Sequence, residues 1–567
     1  MKNKLIIIGL LLSSVFFSSC EDWLNPKPID KQVSEDFWQT QSDVEAVVMS
    51  CYKEMTTNDF MDRIIVGGEV RSDNVIQGRG ISGSEQSLQR LLDENILPNN
   101  SYASWNAFYN VINICNEVIE YAKGVPDIDP DYTPGLYGAH RAEALTIRGL
   151  VYFYLARLYK DVPYITWPYS EDTEEFNIPA TSCDSILNWV VEGLIEAEKT
   201  AVSTYGASGI IPSTESGSLT WNTTNLLKNK GRITKNAVRA LLADIYLWQN
   251  EYESCRDMCL KILDDVNTYE DYLYKFENNL LTGQELYLVE NLTSTSATAS
   301  SIGFTNLFYL KNSGESIFEL QFDSSNDAEI LRRLYGTETS LNGGSSHRLS
   351  ATSDDVWKVF IRPQDVRVKD SYMPIENGYY QIFKYYGSIR TSSTSSNDDV
   401  YTTPDLFYPN WIFYRLSDVY LMLAEALVEL GGSDELEEAL EYVNITYMRS
   451  NPDISTPLRI SAYPDQEAMR QLVLDERQRE FLFEGKRWFD LLRMTRRINP
   501  GNPKNPDLSK IKKYMELRFK NGAPVTVTKM NTMDALYLPI AEKEITSNPI
   551  LKEQQNPHYK EREEERE

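Results

Sequence analysis

The sequence predicts a mainly α-helical protein: tetratricopeptide-like helix pairs with long loop excursions and a small β component. Three observations carry this. Apolar and aromatic residues recur three and four apart, most clearly at Trp105, Phe108, Tyr109, Ile112, Cys115, Asn116 and Ile119, which makes one helix face apolar. Small residues interleaved with aromatics, as in Leu242-Ala243-Asp244-Ile245-Tyr246 followed by Asn250, Tyr252, Cys255 and Cys259, have the spacing of a helix pair in close approach. Two stretches, about Tyr269 to Ser353 and Arg362 to Asn410, are rich in Ser, Thr, Asn and Gly and far exceed ordinary connections.

With 567 residues, 42% hydrophobic and 11% aromatic, the chain can bury a large core, which excludes a mainly disordered protein. Its formal charge of −27, with no basic stripe set against it, argues against a nucleic-acid partner. The 35 tyrosines supply rings with a polar tip, which suit wet interfaces and sugar faces as well as a helical core.

At the N-terminus the apolar run Leu5 to Phe17 follows Lys2 and Lys4 and ends at Ser18-Ser19-Cys20. A bilayer-spanning helix takes roughly 20 apolar residues, so this shorter run reads as a cleavable export signal ending in a lipidation cysteine. Residues 1–19 are then the signal, 20–40 a lipidated linker, 41–560 a single helical domain and 561–567 a charged tail. Cleavage near Ser19 without lipid, and an uncleaved anchor, are the alternatives. Two or more acyl chains, such as palmitate, hold a protein stably on a membrane, since each buried methylene adds about 0.8 kcal/mol.

Further along, a link from Gly124 to Gly138 precedes a second helix from about Ala139 to Tyr159, stopped by Asp161-Val162-Pro163. Thr181 or Ser182 caps a third, with Ile186, Trp189, Val190, Leu194 and Ala197 inward. Another pair spans Val419 to Tyr447, broken at Gly431-Gly432 and resumed from Leu436. Because the pairs are unevenly spaced, the pattern argues against a continuous solenoid. Ser316 to Phe322 and Tyr379 to Tyr385 alternate like short strands, Thr293 to Ser301 and Thr391 to Asp399 read as loops, and Lys560 to Glu567 reads as a frayed tail.

Beyond Cys20, the cysteines Cys51, Cys115, Cys183, Cys255 and Cys259 are odd in number and lack a framework spacing, so disulfides are not what holds this fold. Cys255 and Cys259 share a helix face. A closed zinc site needs four ligands, and His140, His347 and His558 are distant in sequence, so helix packing is favoured and neither metal nor cofactor is expected.

The densest charged segment runs Glu476-Arg477-Gln478-Arg479-Glu480-Phe481-Leu482-Phe483-Glu484-Gly485-Lys486-Arg487-Trp488-Phe489-Asp490-Leu491-Leu492-Arg493. Glu480 and Glu484 on one helix face could meet the separation of about 5–9 Å that glycosidase carboxylates need. Interleaved arginines would pair and ionise them instead. Arg477, Arg479, Glu480, Glu484, Arg487 and Asp490 therefore read as a structural ion-pair network joining a helix, the Gly485 turn and the next helix.

This segment resembles the C-terminal signature of the SusD/RagB family of Bacteroidetes outer-membrane nutrient-binding lipoproteins. Other segments agree in order: Cys20-Glu21-Asp22-Trp23-Leu24, Ala142-Glu143-Ala144 through Tyr159-Lys160-Asp161-Val162-Pro163, Gly231-Arg232-Ile233-Thr234-Lys235, Arg415 through Ala426, and the closing Leu538-Pro539-Ile540, Asn548-Pro549 and Asn556-Pro557. The resemblance implies a lipid-anchored, surface-exposed lid over a SusC-like TonB-dependent barrel, capturing glycans without catalysis. It also implies ligand residues on two loops, which by position resemble Arg71 to Gly83 and Leu334 to Arg348. The candidates are Asp73, Asn74, Gln77 and Arg79 from the first and Tyr335, Asn342, His347 and Arg348 from the second, with Trp221 as another ring platform. Trp105 and Trp357 read as core, and the tyrosines from Tyr379 to Tyr386 as a strand face. Two other readings stand beside this one: a tetratricopeptide scaffold that binds only protein, and a carbohydrate-active enzyme using Glu480 and Glu484.

Overall fold

The computed structural model describes residues 37–564 apart from 80, 82, 170–176, 206–209, 213–218, 222–228, 279–301, 337, 340–344, 353–358, 363, 376–377, 386–388, 393–398, 403–407, 452–455, 502–504 and 520–521. The export signal, Cys20, Asn342, Trp357 and the run Thr293 to Ser301 therefore lie outside the described residues. The architecture is mainly α. Ten helices carry it: α1 Gln41–Met55, α2 Asn106–Tyr121, α3 Pro134–Tyr159, α4 Cys183–Thr200, α5 Lys235–Gln249, α6 Tyr252–Asn278, α7 Leu416–Leu430, α8 Ser433–Ser450, α9 Gln466–Glu480 and α10 Arg487–Ile498.

Local chemistry sets where these helices start. Thr40 and Asp43 form a capping box at α1, Thr133 caps α3 ahead of Pro134, and Ser182, Thr234 and Asp465 cap α4, α5 and α9 through their side chains. The sequence expectation that α3 begins at Ala139 is corrected by this cap, which brings residues 134–138 into the helix. Asn250 takes a left-handed conformation (φ 65°) and turns α5 into α6. Likewise α6 continues to Asn278, well past Tyr269, and α8 begins at Ser433, ahead of Leu436.

Each helix packs on the next: α1 on α2, α2 on α3, α3 on α4, α4 on α5, α5 on α6, α6 on α7 and α7 on α8, with α9 closing against α7 and α8. Pairs separated by long excursions in sequence are thus stacked on one another in space. Loop closure costs only about 0.6 kcal/mol per doubling of length, so the long excursions can leave and rejoin the stack without opening it. Phe108, Cys115, Leu150, Phe153, Leu187, Leu241, Trp248, Cys255, Cys259 and Leu421 fill the seams. Cys51, Cys115, Cys183, Cys255 and Cys259 are all buried free thiols. Trp189, read as inward, is 45% exposed on the outer face of α4, whereas its neighbours Ile186 and Val190 are buried.

Arg232 ties the turn before α5 into the first pairs, reaching Glu143 of α3 at 2.6 Å and Glu45 of α1 at 2.6 Å. Five short strands matter here: β1 Val75–Gln77, β2 Ser316–Leu320, β3 Leu349–Ala351, β4 Tyr380–Ile382 and β5 Trp411–Arg415. Antiparallel β2 and β5 are buried along their whole length, and β5 runs directly into α7. β1 and β3 pair antiparallel, joining two distant excursions. The flanks of Thr391 to Asp399 belong to a hairpin between Ile389–Ser392 and Asp399–Thr402, and the helix Pro557–Glu564 extends into the charged tail.

Within β2, Glu319 is fully buried. Burial pushes its pKa up from 4.5 to about 7. An acid whose folded pKa is raised loses stability as pH rises from its unfolded value through its folded one. Glu319→Gln should therefore gain thermal stability over the parent as pH goes from 5 to 8, by up to about 3 kcal/mol. Paired melting curves across that range check it, and a pH-independent difference would contradict the buried-acid account.

Candidate ligand-binding site

The charged C-terminal segment folds as α9, a tight turn and α10. In that turn Phe483 (φ 65°) and Gly485 (φ 67°) are both left-handed. Every charge in the segment points inward. Glu480 takes Arg415 at 2.6 Å and Arg367 at 2.9 Å, and also Arg449. Glu484 takes Arg415 at 2.9 Å and Lys384 at 2.7 Å. Arg477 meets Asp490 at 3.0 Å, Arg479 meets Glu476 at 2.8 Å, and Arg487 holds Asp73 through two bonds of 2.8 and 3.0 Å.

Burial alone would raise both glutamates, but the surrounding cations overrule it. Arg415 and Lys384 hold Glu484 at about 2. Arg449, Arg415 and Arg367 hold Glu480 well below the ordinary carboxylate range. Both side chains are 0 to 1% exposed. A glycosidase acid must be protonated and reach the sugar, and neither carboxylate meets either requirement.

The same turn carries the first candidate loop. A Cβ on Gly68 would fall 1.9 Å from the Gly485 carbonyl oxygen, so two backbones cross here in contact. Glu69 accepts the Gly485 N–H at 2.9 Å and the Asn74 amide at 2.8 Å, and Gln478 donates to Asn74 at 2.8 Å. From this anchor β1 leads into the paired β3. Around the pair, Thr352 N–H donates to Asn74 O at 2.9 Å and Gly78 N–H to Arg348 O at 2.8 Å. Gly78 is required by that approach, because a Cβ there would meet the His347 carbonyl oxygen at 2.2 Å.

The strand pair brings the two predicted loops together and divides their residues into two groups. Asp73 (6% exposed), Asn74 and Tyr335 face the interior: Asp73 serves Arg487, Asn74 bridges Glu69 and Gln478, and the Tyr335 hydroxyl donates to Phe483 O at 3.3 Å. They are buried supports of the loops, which corrects their reading as loop-surface ligand contacts. His347 is also fully buried, its pKa lowered by burial and by Arg79, and its ring meets the Tyr379 ring edge-on at 5.7 Å. At the surface stand Gln77 and Arg79, with half-buried Arg348 paired to Glu85 at 3.0 Å. Trp221 lies in the strand Leu219–Trp221, paired with Ile210–Pro212.

Tyr379 was not among the candidates. It is half-buried just after Gly378 (φ 76°) and ahead of β4, where Tyr380 N–H donates to the Ser350 hydroxyl at 2.9 Å. The glycine before it was the available signal. A half-exposed ring can take the apolar face of a pyranose, and carboxamide and guanidinium groups can bond its hydroxyls, on loops anchored to a rigid interior.

Comparison with known proteins points one way. The profile described as "SusD family" matches residues 364–559, and one described as "Starch-binding associating with outer membrane" matches residues 22–247. A SusD-like protein of Formosa agariphila is 23% identical over 89% of this chain and 94% of its own length. A SusD superfamily protein from Bacteroides thetaiotaomicron superposes with a TM-score of 0.63 at 21% identity, covering 92% of this chain and 99% of that one. Surface glycan-binding protein A from Bacteroides uniformis gives a TM-score of 0.62 at 20% identity over 91% and 99% of the two chains.

Removing one partner of a buried ion pair typically costs about 3–5 kcal/mol, so Glu484→Gln should destabilise the chain by that amount at neutral pH. Because folding lowers this carboxyl from 4.5 to about 2, its contribution is complete above pH 4.5 and is lost as pH falls toward 2. Denaturant melts of both proteins from pH 7 to pH 3 should show the gap narrowing only on the acid side. Equal stability at neutral pH would contradict the structural role.

Proposed function

Because the chain belongs to the SusD/RagB family, we propose that it is a non-catalytic glycan-binding lipoprotein of the outer-membrane surface. It retains an oligosaccharide and passes it to a SusC-like TonB-dependent barrel. The observation supporting this reading is the β1–β3 pair, whose flanks carry exposed Gln77 and Arg79 and half-buried Arg348, with half-buried Tyr379 edge-on to His347. Support comes from the starch-binding, outer-membrane description of the N-terminal profile and from the glycan-binding name of the Bacteroides uniformis neighbour. Function is then capture: the helix stack and excursions cover the barrel, and Gln77, Arg79, Arg348 and Tyr379 are the rim that selects the ligand. The tether is a lipid on Cys20, placed by the sequence pattern of the signal.

Titration calorimetry of the mature chain against an oligosaccharide panel tests this. Arg79→Ala and Tyr379→Ala should each weaken the bound glycan about tenfold, equivalent to about 1.4 kcal/mol. No heat from any glycan would favour a protein-binding scaffold instead. Cys20→Ala should keep the affinity and move the protein from the membrane to the soluble fraction. Retention on the membrane would overturn the anchor.

A further inference from the structure

Helix α2 carries Asn106, Asn110, Asn113 and Asn116, four and then three apart, which lays four carboxamides along one stripe. Asparagine is a poor helix former, so helix stability does not explain the stripe. The inner two are committed to structure. Asn116 donates to Ile165 O at 3.2 Å and Trp167 O at 3.1 Å and accepts from Arg148 at 2.7 Å, while Asn113 accepts the Tyr169 N–H at 2.6 Å. They hold residues 163–169 upright as a wall. The outer two, Asn106 and Asn110, are exposed. Asn110 gives its nitrogen to Glu54, which leaves the amide oxygen toward solvent.

Between this helix and the segment Glu542–Ser547 lies a groove of about 360 Å³, within the range of small-molecule sites. Tyr109 and Tyr169 line it, and Trp167, 45% exposed, stands beside Tyr169 with ring centroids 6.4 Å apart. On the opposite wall Asn548 is 6% exposed. Its nitrogen donates to Ile178 O at 2.6 Å, whereas its oxygen is buried without a partner. An unmet buried acceptor costs free energy that an incoming hydroxyl would recover. Glu544 is the one carboxylate among the described lining residues, and it accepts from the Trp105 N–H and the Ser104 hydroxyl.

We propose that this groove is a second binding site, separate from the β1–β3 rim, for an uncharged sugar. The proposal rests on the glycan-binding reading above and adds to it a class of ligand. The exposed Trp167 ring and the half-buried Tyr109 and Tyr169 suit the apolar face of a pyranose, and planar carboxamides suit its vicinal hydroxyls. A carboxylate with no cation among the described lining residues disfavours uronates and sulfated sugars, in contrast to the rim with Arg79 and Arg348.

The test uses the full mature chain with maltohexaose, cellohexaose, xylohexaose, mannohexaose and hexagalacturonate, read by calorimetry and hydrogen exchange. At least one neutral oligosaccharide should protect peptides covering residues 105–116 and 163–169, and hexagalacturonate should not. Trp167→Ala and Asn110→Ala change exposed residues, so their melting temperatures should match the parent. Each should weaken that neutral ligand about tenfold and leave binding that depends on Arg79 unchanged. A neutral ligand that protects only the rim and ignores both substitutions overturns the groove while sparing the glycan-binding reading. Binding of none of the probes overturns both.

Discussion

Arg415 sits where β5 becomes α7, 1% exposed, with its guanidinium shared among Glu315 at 2.7 Å, Glu480 at 2.6 Å and Glu484 at 2.9 Å. Glu315 belongs to the first long excursion, Lys384 and Arg367 to the second, Arg449 to α8, and Glu480 and Glu484 to the charged turn. An isolated charge in such an interior costs several kcal/mol, so each of these groups is tolerable only while the others are in place. The cage therefore makes the positions of otherwise irregular segments mutually dependent. It fixes the turn whose Gly485 crosses Gly68, and through Glu69, Asn74 and Asp73 it fixes the base of the β1–β3 pair.

The same lattice separates scaffold from site. Carboxylates held ionised and out of solvent cannot trade protons with a substrate, however suggestive their spacing along a helix. What reaches the surface above them is a ring, a carboxamide and guanidinium groups, which favour reversible recognition. Rigid support matters for that task, because loops ordered before the ligand arrives lose less entropy on binding it.

Helix pairs were legible in the sequence because their signal is local: the stripe from Trp105 to Ile119 and the cap at Thr181 or Ser182 need only neighbours a few residues away. The charged segment was legible by density alone. Its partners were not, since Arg367, Lys384, Arg415 and Asp73 lie far off in the chain and only folding joins them. That is why Asp73, Asn74 and Tyr335 read as loop contacts although the fold buries them. Trp189 fits the apolar period of α4, yet nothing packs over it enough to cover the ring. Uneven repeat spacing does not prevent stacking, since stacking depends on which faces meet and not on how much chain lies between them.

A crystal structure of the chain with the oligosaccharide it retains tests the account most directly. The account predicts sugar density on the rim of Gln77, Arg79, Arg348 and Tyr379, with the contacts of Arg415 to Glu480 and Glu484 unchanged. Sugar bound between Glu480 and Glu484, with that cage opened, would contradict it.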